Sequence, residues 1–174
     1  MTASKLRGAI LEGALDSRLG ELYRDVPAAR DRYAGALSSF TELFGDKEAA
    51  LFSVPGRSEI IGNHTDHQHG RVVAAAVNLD IIAVAAANSS DTIRIKSEGF
   101  PCDEIKVADV RPDTLPKYSS AALIAGVCAG IRDAAGSFSG FDAYTTSQVL
   151  KGSGLSSSAA FEVMTGTIVN HLFN

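Results

Sequence analysis

The chain has 174 residues, 45% of them hydrophobic and 21% charged, with a formal net charge of −4 at pH 7. This is enough chain for one domain with a sizeable core, and it lacks the basic excess that draws a protein to nucleic acid or to an anionic membrane. Lys5, Arg7, Glu12 and Asp16 interrupt the N-terminal apolar residues and exclude a signal-peptide core, and the richest apolar run, 72–87, carries Asn78 and Asp80 and falls short of a membrane span, so a cytoplasmic protein is expected.

Leu6, Ile10, Leu11, Leu15, Leu19 and Leu22 recur at helical spacing, and Pro27 opens a second helix that runs to about Phe44 and ends at Gly45. Residues 51–54 read as a short strand that stops at Pro55 and delivers a polar turn. Residues 72–77 and 79–87 read as consecutive buried strands, and 88–91 as a hairpin turn into a strand over 92–96. Residues 103–107 are assigned to an edge strand, and 112–117 to a linker. A helix over 119–135 follows, with Ala121, Leu123, Ile124, Val127, Cys128 and Ile131 as its buried face. Residues 141–149 read as a strand, and 155–172 as the last helix. The pattern predicts an α+β fold in which a mixed β-sheet is covered by helices. Cys102 and Cys128 are the only cysteines and lie in separate elements, so reduced thiols are expected rather than a disulfide framework.

Two segments carry candidate chemistry. In the first, Gly152, Gly154, Leu155, Ser156, Ser157, Ser158 and Ala159 place small residues and hydroxyls where a helix begins. Glycines admit close approach and unusual dihedrals, while the first helical N–H groups carry partial positive charge, so the site suits a phosphate. The hydroxyls can add a contact to Mg²⁺, a hard cation that prefers oxygen. It is not the common P-loop, GxxxxGK(S/T), because Lys151 precedes the glycines. Taken alone, the segment reads equally as a helix cap in a tight contact. In the second, Pro55, Gly56 and Arg57 lead into Gly62, Asn63, His64, Thr65, Asp66 and Gly70. Asn63, His64 and Asp66 can donate to and accept from neighbouring hydroxyls, as a sugar requires. Arg57 supplies a permanent forked cation suited to charge stabilisation.

Together the two segments resemble the galactokinases of the GHMP small-molecule kinase superfamily. The family's sugar-site signature is approximately PGRxNLIGEHTDYxxG, matched by Pro55, Gly56, Arg57, Ile61, Gly62, His64, Thr65, Asp66 and Gly70 in the same spacing. Its phosphate loop, approximately PxGxGLSSSA, is matched by Gly152, Gly154 and the run 155–159. The departures are Glu59 for asparagine, Asn63 for a sugar-contacting glutamate, His67 for tyrosine and Leu150 for proline. The chain also has no tryptophan, and offers Tyr118, Ser119 and Ser120 where some members seat adenine. Residues 1–35 or so resemble nothing in the family.

The resemblance implies a ribosomal protein S5 domain 2-like N-terminal domain over 1–174, with 1–47 as a helical extension and the C-terminal GHMP domain absent. It implies ATP and Mg²⁺ as cofactors and transfer of the γ-phosphoryl group to galactose O1. Gly152, Gly154, Ser156 and Ser157 would cradle phosphates, Ser158 would meet Mg²⁺, Arg57 would act at the reacting centre, and Asn63, His64 and Asp66 would hold the sugar. Galactokinases are more than twice this length, and their catalytic aspartate, in a GxxDQ-like segment, would lie beyond the last residue here. An exposed inter-domain face would favour homo-oligomers or poor solubility.

Two other readings remain open. Asn63 leaves room for a non-catalytic sugar- or nucleotide-binding relative. His64, Asp66, His67 and His69 could ligate zinc or iron in a hydrolase, although their order departs from HxHxDH. A serine hydrolase is disfavoured because no GxSxG elbow is present.

Overall fold

A computed structural model describes residues 1–63, 65, 68–150 and 152–174. Among them, three helices come first: α1 (Ala3–Leu11), α2 (Asp16–Leu22) and α3 (Val26–Phe44). The single N-terminal helical pattern is broken because Gly13 turns the chain at φ 80°, leaving Leu11 and Leu22 exposed. Asp25 caps α3 by accepting from the Ala28 N–H at 2.9 Å. Ala29, Tyr33, Leu37 and Phe40 then form its buried stripe.

Strands β1 (Ala50–Ile61), β2 (Val73–Ala87), β3 (Thr92–Ser97), β4 (Cys102–Lys106) and β5 (Phe141–Ser147) form one mixed sheet in the order β1-β2-β5-β3-β4, with β5 and β3 parallel and the other neighbours antiparallel. Helices α4 (Ser120–Ala135) and α5 (Ser157–Phe173) complete the chain. The α+β expectation holds. Helices α1, α2 and α3 cover one face of the sheet, packing on Ile82, Val84, Ala86 and Tyr144. On the other face α4 and α5 pack on Ile81, Ala83, Ala85 and Phe141, with Ile124, Met164 and Ile168 at the contact. Full burial of one such side chain stabilises by about 2 kcal/mol.

Several strand expectations are corrected. The two strands expected over 72–77 and 79–87 are one continuous strand, Val73–Ala87, and its first part, Val73 to Ala76, is exposed, because β5 pairs only with positions 81–87 of β2. Residues 88–91 do not make a hairpin: β5 lies between β2 and β3, so the turn crosses over it. The strand read over 51–54 runs through Pro55 to Ile61. An edge position tolerates proline, and a register shift between Pro55 and Arg57 absorbs it. Beyond this shift β1 and β2 leave the sheet as a two-stranded ribbon, pairing Arg57 with Ala76 and Glu59 with Ala74. The strand read over 141–149 ends at Ser147. In α4, Ile124, Ala125 and Cys128 are the buried residues, and Ser119 caps the helix by accepting from the Ala122 N–H at 3.1 Å. No helix among the described residues is long and apolar enough to cross a membrane.

Candidate functional site

The glycine-bearing loop joins β5 to α5. Gly152 and Gly154 have φ of 79° and 77°, a region that only glycine enters without strain. Ser156 also lies there, at φ 57° and ψ 52°, and this costs a non-glycine residue roughly 1 kcal/mol. Left-handed backbone at a non-glycine residue concentrates where a site needs a particular shape. The conformation also explains why α5 begins at Ser157 rather than at 155: Ser156 is the N-cap, and its side chain makes no capping hydrogen bond. The first-turn N–H groups are therefore not capped by that hydroxyl, which fits an anion at this helix end. Ser158, in the same turn, is exposed.

The loop is docked against β1. The Arg57 N–H donates to the Leu155 carbonyl at 3.1 Å. A Cβ added at Gly56 would sit 3.0 Å from that same oxygen and 3.1 Å from Val149 Cγ2, so the close approach favours glycine. The result is a cleft of about 580 Å³ lined by Arg57, Ser58, Glu59, Ile60, Ile61 and Asn63 from one segment and by Leu150, Gly152, Gly154, Ser156, Ser157 and Ser158 from the other. Every site residue expected from sequence that the structure describes is in this lining. His64 and Asp66, expected at the sugar, lie outside the described residues, as do His67 and Lys151. Asn63 is exposed and left-handed, at φ 52°. The turn after it is closed by Thr65, whose hydroxyl donates to the Gly62 carbonyl at 2.8 Å and whose carbonyl accepts from Gly70 N at 2.8 Å.

Glu59 is a cleft residue that sequence reading did not place. It forms an ion pair with Arg57, and the two side chains are part-buried, Arg57 31% and Glu59 11% exposed. Arg57 and Glu59 are two apart on a strand and so share a face; the signal was hidden only because the strand was expected to stop at Pro55. A carboxylate beside Arg57 orients the guanidinium and offsets part of its charge. Tyr118, weighed for adenine, is fully exposed at φ 64° and is not in the cleft lining.

Other candidate chemistry is weaker. Burial pushes the Cys128 thiol up to about 12, which makes it a poor nucleophile. The Cys102 thiol is also raised, first by burial and then by Glu104 and Asp103. Among the described residues no three His, Cys, Asp or Glu side chains are grouped to hold a metal ion. Two hollows of about 490 and 460 Å³ meet at Tyr23 beneath α2, where the Tyr23, Ser53 and Asp80 polar atoms bond to one another.

Comparison with known proteins converges on the same two segments. Residues 38–87 match the galactokinase galactose-binding signature, and residues 122–174 match the GHMP kinases N terminal domain. The galactokinase of Lacticaseibacillus paracasei is 33% identical over 139 residues, which is 78% of this chain and 35% of that protein. That of Streptomyces coelicolor is 33% identical over 136 residues, 77% of this chain and 35% of its own length. The chain thus spans about a third of the length of these curated relatives. The crystal structure of Lactococcus lactis galactokinase complexed with galactose superposes with a TM-score of 0.70 at 30% identity, covering 79% of this chain and 36% of that one. Methanococcus jannaschii mevalonate kinase shares the fold, with a TM-score of 0.59 at 15% identity over 73% of this chain and 41% of its own. By motif, by family and by fold, this chain belongs to the GHMP kinase superfamily and corresponds within it to the N-terminal portion of a galactokinase.

Proposed function

We propose that this chain, residues 1–174 with 1–47 as a helical extension, forms the N-terminal domain of a cytoplasmic ATP-dependent sugar kinase that phosphorylates the anomeric hydroxyl of galactose or a related sugar. One observation carries the reading: Arg57 and Asn63 face Gly152, Gly154, Ser156, Ser157 and Ser158 across a single cleft. Phosphoryl transfer is achieved mostly by positioning and charge stabilisation, which asks for two binding surfaces in register rather than a strong nucleophile. Gly152, Gly154, Ser156 and Ser157 hold phosphate oxygens through backbone N–H groups and hydroxyls. The Ser158 hydroxyl, in the first turn of α5, is an oxygen ligand of the kind Mg²⁺ accepts. When bound with nucleotide, Mg²⁺ offsets charge on the phosphates. Arg57, oriented by Glu59, steadies charge at the reacting centre. Asn63, His64 and Asp66 take the sugar hydroxyls.

Because the chain spans about a third of its curated relatives, turnover is proposed for the whole protein, and binding is the readout for this chain. Titration calorimetry is expected to find galactose binding that Asp66→Ala weakens about tenfold or more, and Mg-ATP binding that Ser158→Ala weakens by several-fold, on the scale of one lost polar contact of about 1–2 kcal/mol. Unchanged affinities in both variants would overturn these roles. A second reading, a binding protein without turnover, draws on Asn63, an amide where the family pattern has a carboxylate; binding without product from the whole protein would favour it.

The cleft wall also bears on assembly. Ile60, Ile61 and Leu150 in the cleft lining, and Val73 paired with Ile61, are exposed, and exposed apolar surface favours association. Sedimentation is expected to find homo-oligomers of the isolated chain, and a monodisperse monomer at high concentration would count against that.

A further inference from the structure

We propose that Arg32, through Asp80, is a positioning residue for the glycine-bearing loop: it fixes the end of β5 from which the loop departs. The inference rests on the phosphate reading of that loop. Arg32 belongs to α3 and precedes the part of the chain that carries the galactokinase signature, residues 38–87. Its side chain is 15% exposed and that of Asp80 is 6% exposed. Arg32 Nη1 pairs with the Asp80 carboxylate, while Nη2 donates to the Asp80 carbonyl at 3.0 Å and to the Thr146 carbonyl at 3.1 Å. The Asp80 carbonyl also accepts from Gln148 N at 2.9 Å. One guanidinium and one carbonyl therefore lock β2 to residues 146 and 148, where the chain leaves the sheet.

From there the path to the cleft is short. Val149 N donates to Ser147 Oγ at 3.0 Å, and the Val149 side chain, 3% exposed, is wedged against Gly56. Leu150 and the glycines follow directly. A planar fork can serve a carboxylate and two carbonyls in different directions at once, whereas an ammonium acts as a point charge. The remaining contacts of Asp80, from the Tyr23 hydroxyl and from Ser53 Oγ at 2.6 Å, stabilise the far side of the network without reaching residues 146 or 148. Tyr23 is thus an internal control: its loss should lower stability and leave the loop in place.

The test compares Arg32→Met, Arg32→Lys and Tyr23→Phe in the full chain, below the melting temperature of each. Amide exchange by NMR at Gln148 and Val149 is referenced to Ile82 and Val84 in the centre of β2, and Mg-ATP affinity is measured by titration. Arg32→Met is expected to speed exchange at Gln148 and Val149 about tenfold relative to Ile82, the mark of a local rather than a global opening. It should weaken Mg-ATP about fivefold, with Arg32→Lys in between and Tyr23→Phe altering neither ratio. If Arg32→Met fails to fold, Arg32→Lys carries the comparison. Exchange that rises equally at all four amides, or a Tyr23→Phe effect matching that of the arginine variants, would assign Arg32 to general stability and overturn the proposal. Absence of Mg-ATP binding in the unaltered chain would instead defeat the phosphate reading, and the exchange ratios would still judge Arg32.

Discussion

Asp142→Ala is expected to lower the free energy of unfolding by about 3 kcal/mol, read as a shift in the urea midpoint at neutral pH. The Asp142 side chain in β5 is fully buried. It accepts from Arg94 Nε at 2.7 Å, from Asn88 Nδ2 at 2.8 Å and from the Lys47 ammonium. These donors come from β3, from the crossover after β2 and from the segment between α3 and β1, so one carboxylate ties together three separate stretches of chain. Removing it leaves two cations facing each other in a poorly solvated site. Breaking one side of a buried pair typically costs about 3–5 kcal/mol. The lower end applies because the Lys47 and Arg94 side chains are 32% and 37% exposed, so water can resolvate them in part. Asp142→Asn keeps the shape and some of the hydrogen bonding and should cost less.

The same carboxylate gives the fold an acid sensitivity with a defined sign. Burial alone would push the Asp142 carboxyl upward, but hydrogen bonds from Arg94, Lys47 and Asn88 outweigh it and hold the group below the usual carboxylate range. A depressed value in the folded state means that the unfolded chain binds the proton more readily. The contribution is complete above the unfolded value of about 4 and fades as pH falls through the lower folded value. Urea unfolding between pH 5 and pH 3, roughly the window set by that reference value, should therefore give a steeper loss of stability for the natural chain than for Asp142→Asn. Parallel curves would mean that this carboxyl does not carry the dependence.

Much of this architecture was legible in the sequence, and the failures have physical causes. The extent of α3, the position of α4 and the small-residue loop ahead of α5 are local signals, set by residues within a turn or two of each other, and all three are legible in the sequence. The order of the strands is not local. Nothing in residues 88–91 announces that β5 will lie between β2 and β3, because that neighbour comes from much later in the chain, at Phe141–Ser147. The length of β1 was missed for a different reason: proline and glycine at positions 55 and 56 signal a turn, yet an edge strand with a register shift accommodates both. That error hid Glu59 as the partner of Arg57. The Asp80 network was invisible because its members, at positions 23, 32, 53 and 80, meet only once the helical layer has docked on the sheet. Asp80 itself looked like a mere interruption of an apolar run, whereas its burial is made tolerable by three donors.

Replacing Gly56 by valine is expected to abolish measurable Mg-ATP binding, a loss greater than about tenfold, while costing about 1–3 kcal/mol of stability through overpacking. The Leu155 carbonyl is the point where the two halves of the cleft touch: it accepts from Arg57 N at 3.1 Å, and it would lie 3.0 Å from a Cβ on Gly56. The two Val149 methyls would lie 3.1 and 3.2 Å away. A side chain rotamer can yield by a few tenths of an ångström, but the Leu155 carbonyl can retreat only by carrying the loop with it. Alanine should therefore weaken binding modestly, and the branched side chain should force the loop off β1 and break the Arg57 bond. Gly35 supplies the comparison, since a Cβ there would meet nothing within 4 Å and the position is inside α3. Gly35→Ala should stabilise the chain by about 0.5–1 kcal/mol through helix propensity and leave Mg-ATP affinity unchanged. Calorimetric titration of the two variants side by side separates stability from site geometry, because one substitution raises the first without touching the second. Should Gly56→Val bind Mg-ATP as tightly as the natural chain, contact between the β1 segment and the glycine-bearing loop would not be what shapes the nucleotide site.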